Sequence, residues 1–260
     1  MRFKIFRSGV EEKNARYDTF EIDPTMGMTV LSALFEIRER FDESLAFRYS
    51  CRGAVCGTCA MLINRVPRLA CRTQIEKLLK GEGAIHLAPF IGSENSKESW
   101  NQAEEVLVEP MPHMPVIRDL IVDMTHFFEC YRLTEPVFKP NGLLPEKEQR
   151  MDQSDVEAVE MYANCILCGA CFAACPVNAK NPVYWGPAAL AKLYRFHIDP
   201  RELRDGSRLF TADVPEGWWS CEFHLNCTHV CPKGVPPSTA IGKAELELKR
   251  GWKKYTRNTK

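Results

Sequence analysis

Twelve cysteines in 260 residues, eleven of them gathered into three tight groups, constrain this chain more than any other feature. The groups are Cys51, Cys56, Cys59 and Cys71; Cys165, Cys168, Cys171 and Cys175; and Cys221, Cys227 and Cys231. Only Cys130 stands apart, and it reads as a small buried hydrophobe. The opening segment, Met1-Arg2-Phe3-Lys4-Ile5-Phe6, alternates charged and apolar residues, which fits a first strand rather than a signal or transit peptide. Without an export signal disulfides are not expected, and clustered thiols then point to metal ligation. Lys+Arg and Asp+Glu balance at 34 each, which argues against a nucleic-acid or anionic-lipid binder. No stretch approaches the roughly 18–20 apolar residues of a membrane-spanning helix. The most apolar one, Val116 to Phe128, is broken by Arg118, Asp119, Asp123 and His126.

The spacing within each group narrows the metal. Cys51-x4-Cys56-x2-Cys59, completed by Cys71, has the spacing of plant-type [2Fe–2S] loops. The small residues Gly53, Ala54 and Gly57 would let backbone N–H groups approach the sulfides. A zinc site on the same four thiols is the alternative, although zinc ribbons usually pair x2 spacings. Cys165-x2-Cys168-x2-Cys171-x3-Cys175-Pro176 is the complete bacterial ferredoxin run, whose fourth cysteine ligates the other of two clusters. The third group, Cys221-x5-Cys227-x3-Cys231-Pro232, is the partner run with His224 at the middle position. Cross-ligation then assigns Cys165, Cys168, Cys171 and Cys231 to a [4Fe–4S] cluster. Cys175, Cys221 and Cys227 are left with three thiolates, so [3Fe–4S] is expected. His224 ligating a fourth iron is the alternative, since imidazole binds iron in Rieske centres.

The three groups in this order resemble the iron–sulfur subunits of succinate dehydrogenase and fumarate reductase. The likeness extends to Ser50-Cys51-Arg52-Gly53-Ala54-Val55-Cys56-Gly57-Thr58-Cys59, Arg68-Leu69-Ala70-Cys71, Pro115 to Met124, Gly186-Pro187-Ala188-Ala189 and Cys231-Pro232-Lys233-Gly234. It implies an electron relay between the FAD of a separate flavoprotein subunit and a quinone. The quinone would sit against one or more membrane-anchor subunits, with or without haem, at the cytoplasmic face of a prokaryotic cell membrane. It further implies a quinone site near Pro176, Lys180 and His224. Lys180 falls where ubiquinone-type members often carry Trp, and the chain is longer than many members between Cys71 and Pro115.

The expected fold is α+β, with an N-terminal β-grasp plant-type ferredoxin domain over residues 1–115 and an all-α bacterial-ferredoxin-like domain over 116–260. Phe3 and Ile5 alternate with charges, Phe20 and Ile22 flank Glu21, and Ala60 to Ile63 follows the first cysteine loop, so all three read as strands. Thr29 caps a helix carrying Val30, Leu34, Ile37 and Phe41. The proline-broken Glu109 to Pro115 reads as the connector, and polar Ser93 to Ser99 as a loop. Val156 to Ala163, a helix opened by Pro187, and Ser238 to Lys249 predict the helical half. Trp218 and Trp219 read either as core or as an anchor contact. No flavin or nucleotide fingerprint is present, Gly81-Glu82-Gly83 being only a GxG fragment. With no Ser/His/Asp set and no paired carboxylates in a catalytic setting, the chain reads as a conductor without a substrate site.

Overall fold

The computed structural model describes residues 1–9, 14–82, 85–90, 99–142, 146–203 and 205–251. The polar stretch at 93–98, Gly83 and the basic tail from 252 onward lie outside them. The fold is mixed α+β, with a five-stranded sheet in the N-terminal half and helices in the C-terminal half.

Strands β1 (Arg2–Arg7) and β2 (Arg16–Glu21) pair antiparallel from Arg2↔Glu21 to Arg7↔Arg16. The alternation in β1 sends Phe3 and Ile5 inward, fully buried. Helix α1 (Val30–Arg40) starts at Thr29, whose hydroxyl oxygen accepts the Ser32 N–H at 3.2 Å. It lays Val30, Ala33, Leu34 and Ile37 on the sheet. Strands β3 (Ala60–Ile63) and β4 (Val66–Leu69) form a hairpin whose two turn residues, Asn64 and Arg65, have φ of 47° and 63°. Two positive φ values in a two-residue loop match the right-handed twist of the strands. Pro67 is tolerated because β4 is an edge strand. A short helix α2 (Ile75–Leu79) follows, and β5 (Glu105–Glu109) then inserts between β1 and β3, giving the order β2-β1-β5-β3-β4.

A second hairpin, β6 (Val116–Arg118) and β7 (Ile121–Val122), carries Asp119 at its turn. Asp119 is buried and accepts from Arg7 Nε at 3.1 Å, Ser8 N at 2.9 Å and Ala46 N at 2.9 Å. Arg7 also reaches Asp42 and Ser44, so one ionic network ties β1, the hairpin and the chain leading into the first cysteine loop.

The helical half comprises α3 (Thr125–Leu133), α4 (Gln153–Ala163), α5 (Ala170–Ala173), α6 (Pro176–Lys180), α7 (Pro187–Ile198), α8 (Ser207–Thr211), α9 (Asn226–His229) and α10 (Pro237–Lys249), with a 3₁₀ turn at Trp218–Ser220. Pro187 opens α7 at a position whose N–H would be unpaired in any case. α7 is the hub, packed against α3, α4, α8 and α10, and it buries Leu190, Leu193 and Tyr194 in the helical core. The two halves meet in an apolar core of Met111, Met114, Val122, Phe127, Ala170, Phe172 and Val230. Among the described residues, no helix is long and apolar enough to cross a membrane.

Candidate metal centres

The β3–β4 hairpin builds the first site. Cys59 precedes β3 and Cys71 follows β4, and the hairpin ladder closes with the Ala70 N–H on the Cys59 carbonyl at 3.0 Å, so residues distant in sequence become neighbours. Residues 51–58 loop outward, with Arg52 (φ 55°), Ala54 (φ 56°) and Gly57 (φ 77°) in the left-handed region. Alternation of handedness turns successive amides inward. Accordingly, the N–H groups of Gly53, Val55 and Cys56 point at Cys51 Sγ at 3.3–3.4 Å, and Thr58 Oγ1 lies 3.0 Å from Cys56 Sγ. Burial alone would raise the Cys56 pKa, but the bonds from Thr58 and Cys51 outweigh it and bring it down to about 6. Buried Cys59 is pushed the other way, to about 12.

Glycine is used differently here from the sequence expectation. Gly53 is not left-handed and a side chain there would meet only the Cys51 carbonyl oxygen, at 3.7 Å. Arg52 holds its left-handed conformation with its guanidinium stacked on Phe35 at 4.6 Å and Tyr49 at 5.6 Å. Gly57 is the position with no room, because a Cβ there would stand 2.8 Å from Cys168 Cβ and 3.1 Å from the Ile166 carbonyl oxygen. The loops of the first and second cysteine groups therefore touch at Gly57 and Cys168.

The second and third groups share one backbone design. Cys168 lies between left-handed Leu167 (φ 51°) and Gly169 (φ 79°), ahead of the one-turn helix α5. His224 lies between left-handed Phe223 (φ 54°) and Leu225 (φ 63°), ahead of the one-turn helix α9. His224 thus occupies the backbone position that Cys168 holds in the complete run. Gly169 is left-handed, a conformation that strains any side chain, and a Cβ there would stand 2.9 and 3.2 Å from the movable ends of Met114 and Met124.

The thiols of these groups gather crosswise. Cys165, Cys168, Cys171 and Cys231 line one small cavity. Cys175, Cys221 and Cys227 line another, together with Pro176, Tyr184 and His224. Burial raises the pKa of Cys168 and Cys175 to about 11 and of Cys227 to about 12, and lifts that of Cys171 well above its ordinary value. Mutual repulsion adds to each: Cys171 feels Cys165, Cys168 and Cys231, and Cys227 feels Cys175 and Cys221. Thiolates so enclosed need a cation to bind their charge, and the sulfur-only donor sets fit iron–sulfur clusters. Cys171 also feels Cys227, so the second and third sites are neighbours. Among the described residues, no three of His, Cys, Asp and Glu close onto the spacing of a single metal ion.

The remaining candidates separate. Pro176 opens α6 and is buried against the third site, whereas Lys180 ends that helix exposed. His224 Nε2 pairs at 2.8 Å with exposed Glu222. Trp218 is completely buried with its Nε1–H on the Leu209 carbonyl at 2.8 Å, while Trp219 is 40% exposed. Cys130 is buried, 3.7 Å from His126 Nε2. Sequence reasoning missed the methionines around Gly169 and the buried Tyr184. Met111 and Met114 within a proline-rich connector were the available signal, since loops rarely carry paired large apolar residues.

Fold and sites together define an electron-transfer protein built from two iron–sulfur modules in one chain. A family model for a 2Fe-2S iron-sulfur cluster binding domain matches residues 2–129, and one for a 4Fe-4S dicluster domain matches residues 130–235. The succinate dehydrogenase iron-sulfur subunit of Paracoccus denitrificans is 35% identical over 243 residues, spanning 92% of this chain and 85% of that protein. The fumarate reductase iron-sulfur subunit of Haemophilus influenzae is 30% identical, over 95% of this chain and 92% of that one. A chain of the Mycobacterium smegmatis Sdh1 complex in the apo form shares the fold, with a TM-score of 0.78, 24% identity and 97% coverage of both chains. The chain belongs to the family of succinate dehydrogenase and fumarate reductase iron–sulfur subunits.

Proposed function

We propose that this chain relays single electrons between the FAD of a flavoprotein subunit and a membrane quinone, as the electron-transfer subunit of a succinate dehydrogenase or fumarate reductase complex. The crosswise convergence of the thiols carries the reading: Cys231 joins Cys165, Cys168 and Cys171, and Cys175 joins Cys221 and Cys227. We assign [2Fe–2S] to Cys51, Cys56, Cys59 and Cys71, [4Fe–4S] to the first crosswise set and [3Fe–4S] to the second. Clusters bound there supply one-electron chemistry, whose potential the protein tunes through cluster type, hydrogen bonds to sulfur and burial. The protein's own part is positional. Gly57 against Cys168 and Cys171 near Cys227 divide one long transfer into short hops. Amide donors at Cys51 and Thr58 at Cys56 stabilise negative charge at the first site.

The sheet with α1 across it suits a β-grasp domain over residues 1–115, and the paired cysteine runs suit a bacterial-ferredoxin-like domain over 116–260. Exposed Phe223 and Leu225 line the third site, and exposed Val183 and Trp219 lie within two residues of Tyr184 and Cys221 in the sequence; they suit an anchor subunit and quinone close to Pro176, Lys180 and His224. Exposed Val55 and Tyr49 beside the first site suit the flavoprotein. Such docking holds the chain peripherally at the cytoplasmic face of the membrane, on anchors with or without haem.

The test is iron and acid-labile sulfide analysis with an EPR-monitored redox titration of the purified complex. About nine irons per chain, three separately titrating centres and succinate-dependent quinone reduction are expected. A zinc-loaded, EPR-silent protein would overturn the reading.

A further inference from the structure

Tyr184 lies between α6 and α7, fully buried, and lines the cavity of Cys175, Cys221 and Cys227. Its hydroxyl is sealed from solvent, has no nitrogen or oxygen partner among the described residues and faces the Cys221 sulfur. Buried hydroxyls are nearly always paired, and the acceptor this one faces is a sulfur of the site. The residue is held in place: its N–H donates to the Asn181 carbonyl at 3.2 Å, and the Asn178 side-chain amide donates to the Tyr184 carbonyl at 3.3 Å. The ring is embedded in the core that includes Cys175, Leu190 and Trp218. The charges nearest its hydroxyl are those of Cys221, Cys175 and Cys227. Tyr162 provides the contrast: it is equally buried and its hydroxyl is also unpaired, but it packs edge-on against Tyr194 and does not line this cavity.

We propose that the Tyr184 hydroxyl donates a hydrogen bond to a sulfur of the third cluster, at or beside Cys221, and thereby raises that centre's reduction potential. The inference rests on the reading of the three thiols as a cluster site. Gaining an electron makes the cluster sulfurs more negative, so a donor stabilises the reduced form more than the oxidised one. Because the ring stays in Tyr184→Phe, the substitution removes the donor and little else.

The experiment is an EPR-monitored redox titration of the third centre in the purified parent complex, Tyr184→Phe and Tyr162→Phe. Hydrogen–deuterium electron–nuclear double resonance is recorded on the parent and on Tyr184→Phe. The expected result is a roughly tenfold bias against reduction in Tyr184→Phe alone, equal to about 59 mV for one electron. An exchangeable-proton coupling present in the parent should vanish with it. An unmoved midpoint in Tyr184→Phe overturns the proposal, as does an equal shift in Tyr162→Phe. Should Tyr184→Phe fail to assemble, the parent's exchangeable coupling decides alone, its presence supporting the donor and its absence refuting it. A parent complex with no iron signal from the third site would instead fell the cluster reading, and the proposal with it.

Discussion

Replacing His224 with cysteine adds a thiol at the one position where the third ligand run falls short. The backbone there is already that of a ligand loop. Phe223 and Leu225 stand at φ 54° and 63° on either side of His224, as Leu167 and Gly169 stand at 51° and 79° on either side of Cys168. The new Sγ therefore needs no change of backbone. What is lost is the His224–Glu222 pair at 2.8 Å, with both side chains solvent-accessible. A pair of that kind contributes about 0.2–1 kcal/mol. Folding stability should thus fall by no more than about 1 kcal/mol while the third site gains its fourth ligand. Iron should rise from about nine to about ten per chain, and the EPR signal of an oxidised three-iron centre should give way to one seen only on reduction. Elemental analysis with low-temperature EPR of air-oxidised and dithionite-reduced complex reads both. An unchanged iron count with the oxidised signal intact would show that equal backbone conformation does not make position 224 a ligand position. A parent protein already holding four irons there would mean that His224 itself ligates.

Four further outcomes follow from the geometry. Gly57→Ala places a Cβ 2.8 Å from Cys168 Cβ at a φ of +77°; the left-handed strain alone costs about 1–2 kcal/mol, so a lower thermal midpoint and weaker spin coupling between the first two centres are expected. Asp119→Ala removes one carboxylate from the buried Arg7 guanidinium, which keeps Asp18 and Asp42, and strands the Ser8 and Ala46 amides, costing about 1–3 kcal/mol in denaturant titration for each amide left without an acceptor and lowering occupancy of the first cluster. Removing iron with a chelator should abolish near-ultraviolet dichroism of the helical half, because Cys175 is part of its core and Cys165, Cys221 and Cys231 pack against it. Burial pushes the Cys130 thiol up to about 11, so it stays protonated at neutral pH; the native holoprotein should show less than about one reactive thiol with Ellman's reagent, with reactivity appearing as the pH approaches 11.

Much of the architecture was legible because it rests on local rules. Thr29 caps its helix through its own hydroxyl, Pro187 opens α7, and Phe3 and Ile5 alternate inward as a half-buried strand must. Of the two tryptophans, Trp218 lies in the core and Trp219 at the surface, a division the sequence did not make. β5 was missed: its Val-Leu-Val run gives no hint that it inserts between β1 and β3, because its partners lie far off in the sequence, Glu105 pairing with Arg2 and Val108 with Ile63. Gly53 and Gly57 look alike in the sequence, yet only Gly57 faces another loop.

Spacing alone pointed to the chemistry of this chain. The intervals between cysteines predict which thiols can share one cluster, and a histidine stands at position 224 where a complete run carries a thiol. The tertiary structure decided what those thiols encounter: Cys168 abutting Gly57, three methionines packed around the second loop, and a buried phenol facing the third site. A ligand set is a short-range property of a few residues of backbone, which sequence records directly. The contacts that join and tune the sites arise only when separate loops are pressed together, and burial, not adjacency, selects them.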